Sequence, residues 1–405
     1  MSARLFPKTF FTTAASILAL LLLLSSNAQS LEVDGEISVQ GFLFFENGAW
    51  PHQKNQSVSG AITVKIFHEI RDTFHLALEP FYRIDSEDQE RSHGDLRLAE
   101  VLYFTDNWEI SVGLGRVFWG ATEFVHLVDI INQTDQVEDL DGEEKLGQPM
   151  LHLTVPHDWG VVEAFVLPWF RERTFPGVNG RYRTVLPVDT DRAVYESGAG
   201  QHHTDIAIRY STTLGATDLG LYYFNGTARD PILLFSHKQT SSPMLFPYYE
   251  QIGQTGLDLQ MAAGEWLFKV EAYYRIGQSR SYAATTFGFE YTLVGIADTM
   301  MDLGLIGEYV YDDRDDGWLP TIYENDVMTG LRLAVNDMDD SNILLGVIRD
   351  IHSDSTIFAV EASRRLGDSI RINLDASFFM NMDQLDPAAS LARDDSIKLE
   401  MVWYW

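Results

Sequence analysis

The chain has 405 residues, a formal net charge of −30, 59 acidic against 29 basic residues, no cysteine and 12% aromatic residues. That balance speaks against a nucleic-acid binder, whose phosphate contacts need Lys and Arg, and the missing Cys excludes a disulfide scaffold, a cysteine zinc site and a thiol nucleophile. With 45% hydrophobic residues the chain can bury a core, so disorder is disfavoured, and length alone predicts two or three domains of about 150 residues each.

Residues 1–28 read as a secretory signal peptide, with 1–30 as the alternative. Arg4 and Lys8 give a positive start, Ala14–Leu24 is apolar, and Ser26-Asn27-Ala28 or Ala28-Gln29-Ser30 supplies the small residues of a cleavage site. The apolar run is shorter than the roughly 20 residues a membrane-spanning helix needs. Removing it takes two basic residues and no acid, so the excess of acids grows. The absence of Cys suits export to an oxidising compartment.

From there the chain alternates with period two in segments of about ten residues. Strands are predicted near 35–45, 56–70, 73–84, 94–105 and 107–118. They continue near 149–156, 159–169, 203–213, 217–227, 251–263, 265–277, 281–295 and 300–312, and end with 326–336, 341–351, 354–366, 368–380 and 394–404. In the third strand Phe74, Leu76, Leu78, Pro80, Tyr82 and Ile84 share one face, and His75, Glu79 and Arg83 lie on the other. The last strand sets Ile397, Leu399, Met401, Trp403 and Trp405 against Lys398, Glu400, Val402 and Tyr404. A soluble sandwich also alternates, but aromatics near strand ends (Trp108, Phe118, Trp159, Trp169, Trp266, Trp403 and Trp405) suggest interface girdles.

The fold class is therefore all-β: a single transmembrane antiparallel β-barrel of about 18 strands over 29–405. Sixteen strands follow if 149–156 and 341–351 are misread. Even-to-odd connections are short, as periplasmic turns are, and all long connections fall on the other side, as extracellular loops do.

The connection 119–148 is the most distinctive. Phe124, Val125, Leu127, Val128, Ile130 and Ile131 make its first half apolar, and Asp135, Glu138, Asp139, Asp141, Glu143 and Glu144 make its second half acidic. Folded into the lumen it is a constriction loop lined by Glu123, His126, Asp129 and Asp135; the alternative is an outer cap on the rim. Trp119 anchors its base in either case. Strand parity adds Glu79, Arg83, Arg209, Lys269, Glu271, Arg275, Arg332 and Arg371 to the pore-lining set. These charges serve either as a salt-bridge lattice that stiffens the wall or as a transverse field across a pore. Phe81, Tyr103, Phe165, Trp169, Tyr222, Phe224 and Tyr273 are also expected inward.

The acidic turns Asp139–Glu144 and Asp312–Gly317 are oxygen-rich but lack the spacing of an EF-hand. His202-His203-Thr204-Asp205 is a weak metal candidate, because alternation separates the two rings. No metal or cofactor site is assigned. No Gly-x-Ser-x-Gly or His-Glu-x-x-His occurs, so no enzyme is expected, and an outer-membrane hydrolase is the lesser alternative.

The ending Met401-Val402-Trp403-Tyr404-Trp405 resembles the closing strand of Gram-negative outer-membrane β-barrels of the porin type. There the terminal aromatic, usually Phe, is read by the barrel-assembly machinery; Trp403 and Trp405 match that signal. Arg116-Val117-Phe118-Trp119-Gly120 with Asp129–Asp135 is similar to a segment of poorly characterised porin-like families. The resemblance covers the whole mature chain. It implies the cell outer membrane, contact with lipid and lipopolysaccharide, small solutes as cargo and a candidate homo-oligomer. The expected function is a channel for passive diffusion of small polar or amphiphilic solutes. The other reading is an occluded structural barrel presenting acidic surface loops, 170–202 and 228–250, to a partner.

Overall fold

The structure is a computed structural model that describes residues 30–235, 243–277, 280–314 and 321–405. The predicted signal peptide 1–28 lies outside the described residues, and the alternative 1–30 meets them only at Ser30. The described strands are β1 (Ser30–Phe44), β2 (Gln56–Arg71), β3 (Phe74–Asp85), β4 (Gly94–Phe104), β5 (Glu109–Gly115), β6 (Gln148–His157) and β7 (Gly160–Leu167). Next come β8 (Val194–Tyr195), β9 (Asp205–Leu214), β10 (Thr217–Thr227), β11 (Ile232–Phe235), β12 (Leu245–Tyr249), β13 (Gln251–Ala263) and β14 (Trp266–Gly277). The chain ends with β15 (Arg280–Leu293), β16 (Asp302–Asp312), β17 (Asn325–Ala334), β18 (Asn342–Asp350), β19 (Thr356–Leu366), β20 (Ile370–Met380) and β21 (Ser396–Tyr404).

Eighteen of these form one sheet, each antiparallel to its neighbours. The sheet closes on itself because β1 pairs with both β2 and β21, from Glu36 opposite Tyr404 to Phe44 opposite Ser396. The two segments whose loss would have given sixteen strands are β6 and β18, and both are paired on each side. The remaining three, β8, β11 and β12, make a small separate sheet from the long connections. Tight turns such as Gly215-Ala216 and Gly264-Glu265 join strands at one end. Gly215 and Gly264 take φ of 67° and 63°, values that cost glycine least.

Closure leaves no open edge, and period-two alternation then sorts the side chains. Outward positions such as Ile62, Leu221, Phe287, Leu331 and Met401 are exposed. An apolar outer wall of this kind is stable only against lipid. Trp108, Trp159, Trp266, Trp403 and Trp405 lie exposed near the short-turn end, as a girdle does. Phe118 is exposed too, but it belongs to the long loop, edge-on to His126 at 4.8 Å.

Phe81, Phe165, Tyr222, Phe224 and Tyr273 are buried inside the barrel as parity predicts. Tyr103 and Trp169 are not; both are exposed. For Tyr103 the cause is a bulge. Glu79 pairs with Leu98 but Pro80 with Leu96, so Arg97 is an extra residue. An extra residue shifts the alternation by one step. Asp95 and Arg97 point in, and Tyr103 beyond the bulge points out. Trp169 lies past the end of β7 and meets His202 edge-on at 4.3 Å.

Candidate functional site

The connection from β5 to β6 turns into the lumen. Its base is pinned by Asn132, whose amide accepts from Val117 N at 2.9 Å and donates to Gly115 O and Leu146 O at 2.8 and 2.9 Å. Trp119 is 3% exposed, packed on Phe165 and Tyr222, with the Arg209 guanidinium 5.1 Å from its ring centre. Val128, Ile130 and Ile131 fill the same cluster with Met150, Leu167, Phe224 and Ile252. The apolar run of the loop thus meets the inward aromatics of β7 and β10, and one side of the lumen becomes a dry core. Burial of this kind contributes about 25 cal/mol per Å² of apolar surface.

Past this core the loop crosses the barrel. Glu271 of β14 is fully buried and accepts from Ala121 N, Thr122 N, Thr122 Oγ1 and Val128 N at 2.6–3.2 Å. Glu308 of β16 accepts from Glu123 N at 2.7 Å and Phe124 N at 3.1 Å. Phe124 then reaches β17 and β18, half-way round the ring from β5. Gly330 and Gly346 face each other there, and a Cβ on either would lie 3.1 or 2.9 Å from the Phe124 ring. The glycines form a notch that the ring fills.

The acidic half of the loop returns to the β3–β4 wall. Glu138 meets Arg83 at 2.8 Å and Arg97 at 3.6 Å, and Arg97 bonds Glu144 at 2.9 Å. Arg83 also donates to Gln40 and Ser59. Asp135, fully buried, lies 3.2 Å from His93 and accepts from Thr174 Oγ1 at 2.8 Å. His93, Asp135 and Glu138 each bring a ligand atom within 4.8 Å of the others. Arg83 and Arg97 already supply the positive charge that a metal ion would bring, so this is an ion-pair network.

Burial disfavours the His93 imidazolium, but Asp135 and Glu138 outweigh it and raise its pKa. Burial pushes Asp135 up, and its hydrogen bond and charge pairing with His93 bring it below its ordinary value. The His93 contribution to stability is complete below the ordinary imidazole pKa of 6.5 and is lost as pH rises through the raised value. The Asp135 contribution is lost as pH falls through the lowered one. His93→Asn is therefore expected to cost about 1.5–3 kcal/mol near pH 6 and less at a pH above the raised value. Thermal unfolding across a pH series from 6 upward checks this, and a loss that does not shrink as pH rises contradicts it.

Between the loop's free edge and the β17–β21 wall, charged side chains meet water. Glu123 bridges Arg332 and, at 3.6 Å, Lys269; Arg332 also meets Glu290 at 3.2 Å. Asp139 and Asp375 share Lys398 at 2.5 and 3.2 Å. Glu143 is 66% exposed, Arg332 35% and Asp375 32%. Glu361 is exposed, with Asp375, Glu143, Asp139 and Glu123 as its charged neighbours. His126 lies 3.7 Å from Glu143, and its pKa is raised because that carboxylate and Glu271 outweigh its burial.

The other sequence-derived residues lie apart from this strip. Asp129 takes Lys145 at 3.1 Å, Glu79 takes Arg116 at 2.6 Å and Arg209 takes Asp258 at 2.7 Å. Arg275 is buried with Gln254 and Tyr282, 3.5 Å from Asp230. Arg371 meets Asp340 in a short turn at 2.7 Å. Asp312 pairs with Arg314, and residues 315–317 of that acidic turn lie outside the described residues. His203 bonds Asp205 at 2.8 Å and His202 packs on Trp169, so the two rings serve different contacts.

Loop 170–202, expected to be acidic, carries Arg171, Arg173, Arg181, Arg183 and Arg192. Three of them point to carboxylates: Arg171 to Asp95, Arg173 to Asp230 and Arg181 to Asp394, at 2.6–2.7 Å. This loop is tied into the mouth of the barrel and does not present an acidic face. The parts played by Phe124 and Asn132, and the Gly330–Gly346 pair, escaped the sequence reading. The one signal for the notch was two inward glycines on neighbouring strands.

No protein-family model matches the chain, and no curated protein matches it. Solved structures do. Wzi, an outer-membrane protein involved in group 1 capsule assembly in Escherichia coli and described as a carbohydrate-binding β-barrel, is similar with TM-score 0.51 and 10% identity. The match covers 99% of this chain and 89% of that one. OmpT of Vibrio cholerae, in its trimer form, gives 0.48 and 10%, over 94% and 100% of the two chains. Salmonella typhi OmpF in complex with daunomycin gives 0.48 and 9%, over 93% and 97%. At such identities the likeness is one of fold. With the apolar outer wall and the closed ring, the likeness to Wzi is that of a closed antiparallel β-barrel whose outer face suits a lipid bilayer.

Proposed function

We propose that this barrel is a channel for passive diffusion of small polar or amphiphilic solutes, with a preference for cations. The observation that carries the reading is the strip of water-accessible charge beside the loop. One side of the lumen is packed dry, while Glu143, Glu361 and Asp375 on the other stay solvated. Acids outnumber bases along this strip, and Lys398 and Arg332 are each shared between two carboxylates. A lumen of that sign concentrates cations and repels anions. The chemistry is passage, with no catalytic group required. Lipopolysaccharide around the wall, the assembly machinery reading Trp403 and Trp405, and a homo-oligomer belong to the same reading.

Purified protein in planar bilayers tests it. Stable steps of current are expected, with a reversal potential in a KCl gradient that favours K⁺. Absence of steps both in the full chain and after deletion of 121–146 sinks the channel. That outcome favours an occluded structural barrel, which the dense packing of Trp119, Val128 and Ile131 would serve.

A further inference from the structure

We infer that the long-loop mouth of the barrel carries a binding site for a neutral saccharide, with room for one hexose-sized unit. The site is a cavity enclosed by the long-loop ends of β1, β2 and β3 and by residues 136–140 and 176–182. It has space for roughly four to six water molecules, about the bulk of one hexose. Its walls are contacts between loops and rim, so the site stands whether or not the barrel conducts.

The ligand class follows from which lining groups have a partner. Arg91 donates to Asp85 at 3.0 Å and to Gln40 at 2.7 Å, and Arg181 donates to Asp394 at 2.6 Å. Asp88 accepts from the amides of Gly177 and Glu90, both at 3.0 Å, and Asp139 takes Lys398. Among the described residues, the lining side chains of Gln56, Ser57, Gln136 and Asn179 have no hydrogen-bond partner. The Gln136 carbonyl oxygen is moreover shut off from water. Lys54 and Glu87 lack an ion-pair partner too, and they are one of each sign. The open positions are thus mainly neutral donors and acceptors, mixed.

The rest of the lining is apolar: Phe42 and Leu140 are half-buried and Pro176 is buried. A hydrocarbon guest would leave the Gln136 oxygen and the amides unpaired. A simple ion would serve donors or acceptors, not both, and would give up its hydration. A hydroxyl donates and accepts at once. A polyhydroxylated ring therefore matches the Gln56 and Asn179 amides and the Gln136 oxygen together, while its C–H face rests on Phe42 and Leu140.

The test uses the full chain in detergent micelles, with binding read by calorimetry and saturation-transfer NMR. The neutral probes are glucose, galactose, mannose and N-acetylglucosamine; glucosamine, glucuronate and serine are the charged comparators. At least one neutral sugar is expected to bind about tenfold more tightly than any charged probe. Its affinity should hold between about 0.05 and 0.5 M NaCl, because no ion pair carries it. Gln136→Leu and Asn179→Ala are each expected to weaken it about fivefold. Asn179 is exposed, so its substitution leaves the fold intact, and the shift in gel mobility on heating verifies folding of both variants. A folded parent protein that binds none of the neutral sugars overturns the site. Tighter binding of a charged probe, weakening with salt, overturns the neutral match. Parent-like affinity in both folded variants puts the sugar elsewhere and overturns this cavity.

Discussion

Glu271→Ala is expected to free the loop and raise unit conductance severalfold. Glu271 is fully buried, and its two oxygens accept four bonds, three from backbone amides and one from a hydroxyl. Alanine leaves the three amides without that partner, while the Thr122 hydroxyl can still donate to Val125 O at 2.7 Å. A buried donor left unsatisfied costs about 1–3 kcal/mol. Three together exceed what a single loop can bear, so the segment must move until water reaches them. The movement would expose 120–128 to protease and widen the passage. Glu271→Gln should lie between, because its oxygen still accepts while its NH₂ turns donors toward donors. Conductance and limited proteolysis read the two effects. Parent-like values of both in Glu271→Ala would mean that the dry core alone holds the loop.

Trp119→Ala is expected to cost about 3–5 kcal/mol, the usual range for an aromatic lost from a packed core. The indole touches Phe165 and Tyr222, and Arg209 lies over it. Its loss opens a cavity where three strands and the loop base meet. It also removes an aromatic partner of a guanidinium, which adds about 0.5–2 kcal/mol. Trp119→Phe should recover the larger part of the packing. The readout is the temperature at which the heat-modified band appears, or the calorimetric unfolding temperature. An unchanged temperature in Trp119→Ala would show that Val128, Ile130 and Ile131 hold the base without it.

The wall was legible because period two has one meaning in a closed sheet. Thr217–Thr227 and Gln251–Ala263 coincide with the predicted strands, and all eighteen are present. The exception at Tyr103 has a local cause. A bulge at Arg97 leaves no mark in hydrophobicity, because both halves of β4 still alternate. Loop 119–148 was legible in composition but not in destination. Phe124–Ile131 is as apolar as a rim cap would be, and its place depends on Phe165, Tyr222 and the Gly330–Gly346 notch, all distant in sequence. The charge lattice was half legible. Parity predicted that Arg83 and Glu271 point inward, but Glu138 and the amides of 121–122 became their partners only once the loop entered.

The seam between β1 and β21 has a consequence for how the wall can come into being. Gly35 and Trp405 exchange both backbone bonds at 3.0 Å, and the pairing runs up to Phe44 opposite Ser396. Until those two strands meet, each presents a full row of unpaired amides and carbonyls. In hydrocarbon every such group costs several kcal/mol. A curved sheet of seventeen strands is therefore no less exposed at its edges than one of three. The chain has no tolerable half-built state inside the bilayer, and the wall must be complete, or its edges held by something else, at the moment it enters.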